Sequence, residues 1–363
     1  MKQLPALYLP TDTEMLALRR DTEQALTFEQ HLLVRATGLG GWGGVNMVDA
    51  VSRVRGELGA PHLSFLPELA DRGFHATALG RTLACLEGLT ADVTASGWRI
   101  TEGFAKEGNL AQTVLASDIN ALADVVGKEK NPEGGLKVRL LGPFSLVAST
   151  YLTTGELVLI DYGARRDICD SLLAGLESLV ERLKQATPGL HLSLQFDEPL
   201  LPAVLAGAIK TSSGYSTVRA LRRHEAVETL AKIHRYAEGL GVNVLVRSNV
   251  LELHPEIQAV LTAPVLNLSG RPTRDWEQVA RMVEAGARPL LETVSPRTRL
   301  PVGEIAGDLW VRWRDVGLAK NLLSSITLTD LPGLEEQSPE VATTVLGHLT
   351  ETARALSEIA QDA

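Results

Sequence analysis

The sequence is poor in the residues that mark several large classes of protein. It holds only two cysteines, Cys85 and Cys169, in 363 residues, too few for the disulfide framework of a small secreted domain. Both stand in helix-like patterns, so we expect two small core residues of a reduced, cytoplasmic protein, with a disulfide between them as the alternative. Residues 1–10 lack a basic segment followed by a long apolar run, and no signal peptide is expected.

Long apolar runs and clusters of basic residues are missing as well. No stretch reaches the roughly 20 apolar residues of a membrane-spanning helix, although 45% of the residues are hydrophobic. The formal net charge is −9 without any basic run, so neither nucleic acid nor an anionic membrane surface is expected as a partner. Length and composition predict a soluble globular chain with one large barrel or two modest domains.

Common catalytic and metal-binding patterns are absent from the sequence too. The eight histidines form no His-x-His, His-x-Cys or His-Glu-x-x-His pattern, and no Cys-x-x-Cys occurs. No Gly-Lys-Ser/Thr follows the glycine-rich stretch, which excludes a Walker A loop. A Ser-His-Asp triad stays open, although no Gly-x-Ser-x-Gly elbow supports one. His224 and His234 lie in polar helical surroundings and are interpreted as solvated side chains.

What the sequence does contain is a regular alternation of short apolar strands and helical segments. Strands are predicted over 31–36, 62–65, 137–141, 191–196, 242–246, 265–268, 288–292 and 322–327, with helices between them. Eight such units predict an α/β fold, a single (β/α)₈ TIM barrel over residues 31–363. Residues 1–30 are interpreted as an N-terminal extension with a short helix over 13–24. An open doubly wound sheet is the alternative fold.

The stretch His191–Pro199 carries the clearest chemical signal. Apolar positions lead to two adjacent acids, Asp197 and Glu198, and Pro199 ends the strand because it has no N–H to give to a ladder. Neighbouring side chains of a strand point to opposite faces, so only one of the two acids can face inward. We predict that Asp197 faces the mouth of the barrel, the opening at the carboxyl ends of its strands. A helix N-cap is the alternative role for this pair.

Other polar or glycine residues follow the predicted strands, on the side where barrel enzymes hold their sites. They are Gly38–Gly44, Glu68, Gly142, Arg247–Asn249, Ser269, Ser295, Thr329 and Asp330. The first of these segments has five glycines in seven residues, so its N–H groups can approach a carboxylate or a phosphate. An ordinary tight turn explains the same glycines equally well.

Together these residues resemble the C-terminal catalytic barrel of cobalamin-independent methionine synthase, especially its short stand-alone relatives in high-GC Gram-positive bacteria, from about residue 31 onward. The most specific part is Gln195-Phe196-Asp197-Glu198-Pro199, and Gly38-Leu39-Gly40-Gly41 resembles the loop that holds the homocysteine carboxylate. The resemblance implies homocysteine binding by Glu68 and binding of the amino group by Asp197. The candidate substrate-binding residues are therefore Gly38, Gly40, Gly41, Glu68, Asp197, Glu198, Arg247, Asn249 and Ser269.

The same resemblance implies a catalytic zinc and a methyl folate, and at the zinc the chain departs from the family. The family's ligands are a His-x-Cys, a Glu and a Cys, and the corresponding residues here are Arg247, Asn249, Ser269 and Pro332. The family's proton-donating histidine corresponds to Val294. None of these residues is a thiolate or an imidazole, so we predict no stoichiometric zinc and assign no catalytic residue.

Three functions follow as expectations. The first is a methionine synthase-like, methyltransferase-type barrel that binds homocysteine, methionine or a similar small amino acid or thiol without zinc. The second is a catalytically inactive barrel that binds a metabolite or a protein partner. The third is a uroporphyrinogen decarboxylase-like enzyme, which would need arginines around its cavity.

Loss of the metal makes a specific demand on the charges of the site. If Glu68 and Asp197 face each other without a metal, their like charges need a cation. We expect the guanidinium of Arg247 to bridge to one acid or to hold an anionic ligand. An arginine that turns out to solvent is the alternative.

Overall fold

The computed structural model describes residues 33–297 and 300–361, and eight parallel strands form its centre. These strands are β1 (Arg35–Ala36), β2 (Leu63–Phe65), β5 (Gly135–Leu141), β6 (His191–Asp197), β7 (Asn243–Arg247), β8 (Pro264–Asn267), β9 (Leu290–Val294) and β10 (Thr327–Asp330). Their order is β1-β10-β9-β8-β7-β6-β5-β2, which confirms the predicted TIM barrel. The helix predicted over 13–24 lies outside the described residues.

Helices cover the outside of this barrel. They are α1 (Met47–Glu57), α2 (Ala78–Leu83), α3 (Lys106–Val126), α4 (Pro143–Ala148), α5 (Tyr162–Ala186), α6 (Leu201–Ala206), α7 (Arg223–Gly239), α8 (Pro255–Gln258), α9 (Thr273–Glu284), α10 (Val302–Asp315) and α11 (Pro339–Gln361). Capping side chains start several of them; Asp161, for example, accepts a hydrogen bond from the Ala164 N–H at 2.8 Å. Within the described ranges, no helix has the length and apolar character needed to cross a membrane.

A hairpin of β3 (Thr90–Thr94) and β4 (Gly97–Thr101) interrupts the alternation of strand and helix between β2 and β5. Trp98 lies in β4, and its buried side chain joins the outer core. The hairpin forms a separate two-stranded sheet and bridges to Tyr151 rather than to a barrel strand, so the barrel keeps its eight strands.

The barrel closes between β1 and β2 through the loops that follow them. The Glu68 N–H donates to the Gly40 carbonyl at 2.8 Å, and the Trp42 N–H donates to the Glu68 carbonyl at 3.0 Å. Gly40 adopts a φ of 122°, a conformation that side-chain-bearing residues rarely adopt. The closing seam therefore fixes the backbone of Glu68 at the rim of the mouth.

Alternation along the strands separates two cores. In β6, Leu194 and Phe196 join the large apolar core under the helices, whereas Gln195 and Asp197 face the barrel interior. One side of that interior is apolar, formed by Leu39, Leu245, Val265 and Leu290. The β5 and β6 side is polar, and it leads upward to the mouth.

Three predicted segments differ from the structure. The strand predicted over 322–327 is mostly a 3₁₀ turn, Lys320–Ser325, followed by β10 at Thr327–Asp330. The prediction followed the apolar pair Leu322-Leu323, but the real strand carries polar residues on its buried inner face. Two of the helices expected between the strands are reduced to short segments, α2 with six residues and α8 with four.

Gly175 gives a test of the packing of α5 against the loop after α2. A Cβ atom at this buried position would overlap the carbonyl oxygen of Cys85, so Gly175→Ala should lower the free energy of unfolding by about 3 kcal/mol or more. Gly56→Ala is the control, since Gly56 is exposed in α1 with open space around it, and it should stabilise by roughly 0.5 kcal/mol. Urea unfolding measures both; equal effects would contradict the packing described.

Candidate functional site

Five ionisable side chains meet at the mouth of the barrel. They are Glu68, Arg139, Asp197, Arg247 and Glu292, called the mouth network below. Four of them lie on β5, β6, β7 and β9, near the carboxyl ends of those strands, and Glu68 lies on the closing seam. The network contains three acids and two guanidiniums, so most of its charge is compensated internally.

Asp197 lies at the centre of the mouth network. Its Oδ2 accepts a hydrogen bond from Arg139 Nε at 2.8 Å, and Arg247 Nη1 lies 3.7 Å from the same oxygen. Its Oδ1 accepts from Gln195 Nε2 at 2.8 Å, and the side chain is only 3% exposed. The structure thus places Asp197 toward the mouth, while its contact with a ligand stays a prediction.

Arg139 is the cation that lies between Glu68 and Asp197. Its Nη1 lies 3.3 Å from Glu68 Oε2, in addition to the Nε contact with Asp197. Burial alone would lower the pKa of Arg139, but the two carboxylates outweigh burial and hold that pKa above its ordinary value. Arg247 was expected to bridge to one acid, and its Nη1 does lie 3.7 Å from Asp197 Oδ2. The residue that contacts both Asp197 and Glu68 is Arg139, on the inner face of β5, which the sequence did not indicate.

Arg247 makes its shortest ion pair with a third acid, Glu292. Its Nε donates to Glu292 Oε1 at 2.7 Å, and Asn267 Nδ2 donates to Glu292 Oε2 at 3.1 Å. The Arg247 side chain is 23% exposed and the Glu292 side chain 3%. Arg247 therefore compensates a buried carboxylate rather than extending into solvent, and both oxygens of Glu292 are engaged.

The sequence reasoning missed Arg139, Glu292 and Asn267. A usable signal was present for Arg139, because Lys137 and Arg139 alternate with leucine and valine in a predicted strand. Glu292 and Asn267 lie inside predicted strands, whereas the candidate residues were sought in the segments that follow the strands. Inner-face positions near the ends of strands, and not only the residues after them, hold this site.

A second polar layer lies beneath the mouth network. The ammonium of Lys137 donates to Gln195 Oε1 and to the Gly38 carbonyl, and Gln195 Nε2 also donates to the Leu39 carbonyl at 3.1 Å. Asp330 Oδ1 accepts from the Leu39 N–H at 2.6 Å. Burial lowers the pKa of Lys137 to about 7 and raises the pKa of Asp330 to about 6. This layer holds the glycine-rich loop against the barrel interior.

Glu198 is not brought together with the mouth network. Its Oε1 accepts from the Phe144 N–H at 2.9 Å, and its Oε2 accepts from the Ser145 N–H and Oγ at 2.8 and 2.7 Å. The residue is fully buried, and burial raises its pKa to about 7 despite these hydrogen bonds. Of the two adjacent acids, Glu198 therefore binds the start of a helix, α4, because it points to the opposite side of β6 from Asp197.

The glycine-rich loop lies at the rim of the mouth, with one neighbour that the sequence did not indicate. A Cβ atom at Gly41 would lie 2.7 Å from Glu335 Oε2, so this exposed carboxylate packs directly against Gly41. At Gly40 a Cβ would lie 3.1 Å from Arg139 Cδ, and at Gly38 it would overlap the Phe65 ring. Glycine is thus favoured at Gly38 by the Phe65 ring and at Gly40 by a positive φ, while at Gly41 the close neighbour is the flexible side chain of Glu335.

The remaining candidates do not join the mouth network. Asn249 and Ser269 are exposed in the loops after β7 and β8, and the Ser269 N–H donates to Asn267 Oδ1 at 3.1 Å. Val294 is buried and Pro332 is exposed. In the described part of the chain no three His, Cys, Asp or Glu residues are grouped to hold a metal ion. The residues at the family's ligand positions therefore do not fit a zinc ion.

Comparison with known proteins finds similar solved structures but no matching protein family. No protein-family model and no curated protein matches the sequence. One similar solved structure is a B12-independent methionine synthase from Shewanella sp. W3-18-1 in complex with selenomethionine, with 13% identity, a TM-score of 0.46 and coverage of 73% of this chain and 72% of that one. Another is a xylose isomerase-like TIM barrel protein from Mycobacterium smegmatis in complex with magnesium, with 10% identity, a TM-score of 0.39 and coverage of 93% and 99%. At these TM-scores neither likeness carries an argument on chemistry, and the fold rests on the strand order itself.

The environment of Glu198 predicts a specific pH dependence of stability. Glu198→Gln should lower the free energy of unfolding by about 1–3 kcal/mol near pH 5, because an amide nitrogen cannot accept from the donors around it. The folded state keeps the Glu198 proton up to about pH 7, whereas an unfolded glutamate releases it near 4.5. The contribution of Glu198 is therefore complete below pH 4.5 and is lost as the pH rises to 7.

Urea unfolding at several pH values between 5 and 7 measures this difference between wild type and variant. The deficit of Glu198→Gln should shrink by roughly 1 kcal/mol per pH unit across this range. Asp330 titrates in both proteins, so its effect drops out of the comparison. A deficit that grows with pH would show that the three hydrogen bonds outweigh burial and lower the pKa of Glu198.

Proposed function

We propose that the chain is a methionine synthase-like, methyltransferase-type barrel whose mouth binds homocysteine, methionine or a similar small amino acid or thiol. The observation that carries the proposal is the uneven compensation of the acids in the mouth network. Asp197 and Glu292 have both oxygens in hydrogen bonds, whereas Glu68 has a 3.3 Å contact from Arg139 to Oε2. Among the described residues, no hydrogen bond reaches Glu68 Oε1.

The charge count supports an ammonium group as the partner of Glu68. Three acids against two guanidiniums leave one negative charge in the mouth network, and the exposed carboxylate of Glu335 adds a second beside Gly41. A partly buried, incompletely paired carboxylate is costly, and a ligand ammonium would supply the missing charge and hydrogen bond. The resemblance to the methionine synthase family implies homocysteine binding at Glu68 as well, but it assigns the amino group to Asp197. We assign the ammonium to Glu68 because both oxygens of Asp197 are already in hydrogen bonds.

The residues present support binding more strongly than catalysis. The positions of the family's zinc ligands and proton donor hold an arginine, an asparagine, a serine, a proline and a valine, so we derive no step through a metal and assign no proton transfer. A methyl folate is the methyl donor that the resemblance implies. Binding of the amino acid without methyl transfer requires neither a metal ion nor a proton donor, so it fits the residues present best.

A second candidate is a decarboxylase of the uroporphyrinogen type, and one observation favours it. Arg139 and Arg247 both reach the mouth with side chains 21% and 23% exposed, and such an enzyme needs arginines for its carboxylate-bearing substrate. The surplus of acids in the mouth opposes a ligand that carries several negative charges. We therefore place the amino acid first.

Ligand binding tests the proposal through thermal stability. L-methionine or L-homocysteine should raise the melting temperature with the logarithm of its concentration above the dissociation constant, with about 2.7 kcal/mol of stabilisation at one hundred times that constant. Glu68→Gln should weaken that binding tenfold or more, because the amide lacks the charge that pairs with the ammonium. Glu304→Gln, an exposed position on α10, is the matched control and should bind like the wild type.

The same assay separates the candidates. A shift with uroporphyrin and none with the amino acids would favour the decarboxylase. Amino-acid binding that Glu68→Gln leaves intact would refute the assignment of the ammonium to Glu68.

Metal analysis tests the predicted loss of zinc. Protein purified without a histidine tag should contain far less than one zinc per chain, because guanidinium, amide, hydroxyl and proline groups replace the family's thiolate, imidazole and carboxylate ligands. Chelator treatment should leave the melting temperature unchanged. One tightly held zinc per chain would show that other residues have taken over the site.

A further inference from the structure

Each guanidinium of the mouth network has one terminal nitrogen, Nη2, that the network does not use. Arg139 donates hydrogen bonds from Nε to Asp197 and from Nη1 to Glu68. Arg247 donates a hydrogen bond from Nε to Glu292, and its Nη1 forms an ion pair with Asp197 at 3.7 Å. Over the ranges that the structure describes, no hydrogen bond starts from Nη2 of either arginine. Donor groups on two neighbouring cations are therefore available to a ligand.

The two arginines are also the most exposed members of the network. The two arginine side chains are more than twice as exposed as any of the three acids beneath them. A molecule that enters the mouth therefore meets guanidinium groups before it meets most of the carboxylate surface. The planar donor edge of arginine matches the two oxygens of a carboxylate.

Asp197 explains why the two cations stay together. Both guanidiniums approach the same oxygen, Oδ2, from β5 and from β7 on either side of β6. Without that shared acid the two arginines would repel each other at close range. Asp197, with both oxygens occupied and its side chain almost fully buried, orients them.

The alternative anion site in the mouth is already occupied by the chain itself. The glycine-rich loop would hold the ligand carboxylate if the resemblance to the methionine synthases held in detail. Here the Glu335 carboxylate packs against Gly41, and the Leu39 N–H is bound to Asp330. A second carboxylate at Gly41 would meet the like charge of Glu335.

We propose that the α-carboxylate of the ligand binds to the Nη2 groups of Arg139 and Arg247, and that Asp197 is a positioning residue that does not touch the ligand. This inference rests on the proposed function and deepens it. The ligand class becomes a small zwitterionic α-amino acid, with its ammonium on Glu68 and its carboxylate on the arginine pair. An amine that lacks the carboxylate should be a poor ligand.

Three probes and two arginine variants test the inference. The probes are L-methionine, 3-(methylthio)propylamine, which lacks the carboxylate, and 4-(methylthio)butanoate, which lacks the ammonium. Calorimetry on the wild type should give the amine at least tenfold weaker binding than methionine. In Arg139→Lys and Arg247→Lys the charge stays but the planar edge is lost, so methionine should weaken tenfold or more while the amine changes little. The dissociation constant of the amine divided by that of methionine should therefore be smaller in each arginine variant than in the wild type.

Arg312→Lys provides the matched control, because Arg312 pairs with Asp308 on α10, away from the mouth. It should leave the ratio unchanged. A general loss of folding would weaken the binding of methionine and of the amine by the same factor. Loss of the carboxylate site would weaken the binding of methionine alone.

The outcomes separate this inference from the proposed function. Equal binding of methionine and the amine, with no effect of either arginine variant, would overturn the arginine site and leave amino-acid binding standing. Binding of neither would overturn both. Tight binding of the butanoate, equal to that of methionine, would support the arginine pair and overturn the role given to the ammonium.

Discussion

The mouth of this barrel depends on compensation of buried carboxylates by guanidinium groups. Asp197 and Glu292 are almost completely removed from water, and isolated ionised carboxylates in such surroundings are very costly. Arg139 and Arg247 offset that cost, and each arginine contacts two acids. The result is a connected ion-pair network across β5, β6, β7 and β9 in which the position of each side chain depends on its neighbours.

This network changes the chemistry that the mouth can support. Guanidinium groups bind anions and position carboxylates, but they do not activate a thiol as a metal ion does. The polar layer beneath it, centred on Lys137 and Gln195, consists of fully buried groups that fix the glycine-rich loop. The buried polar groups of this layer therefore hold the glycine-rich loop in place at the rim of the mouth.

The fold was readable from the sequence because the alternation of strands and helices is a local pattern. The orientation of Asp197 was also accessible, since the period of a strand sends Asp197 and Glu198 to opposite sides. The partners of these acids were not accessible, because they come from other strands and depend on register. Arg139, Glu292 and Glu335 reach the mouth from residues 58 to 138 positions away from Asp197 along the chain, whereas a reading of one strand end shows only its own residues.

The seam between β1 and β2 has a mechanical consequence for this site. The ring of strands is completed there by one bridge, whose two hydrogen bonds use the N–H and the carbonyl of Glu68. The residue that closes the ring is thus the same residue whose carboxylate has an uncommitted oxygen toward the mouth. A ligand bound to that carboxylate would favour the closed form of the seam. Local opening of the barrel between β1 and β2 and ligand binding in the mouth would then be thermodynamically linked.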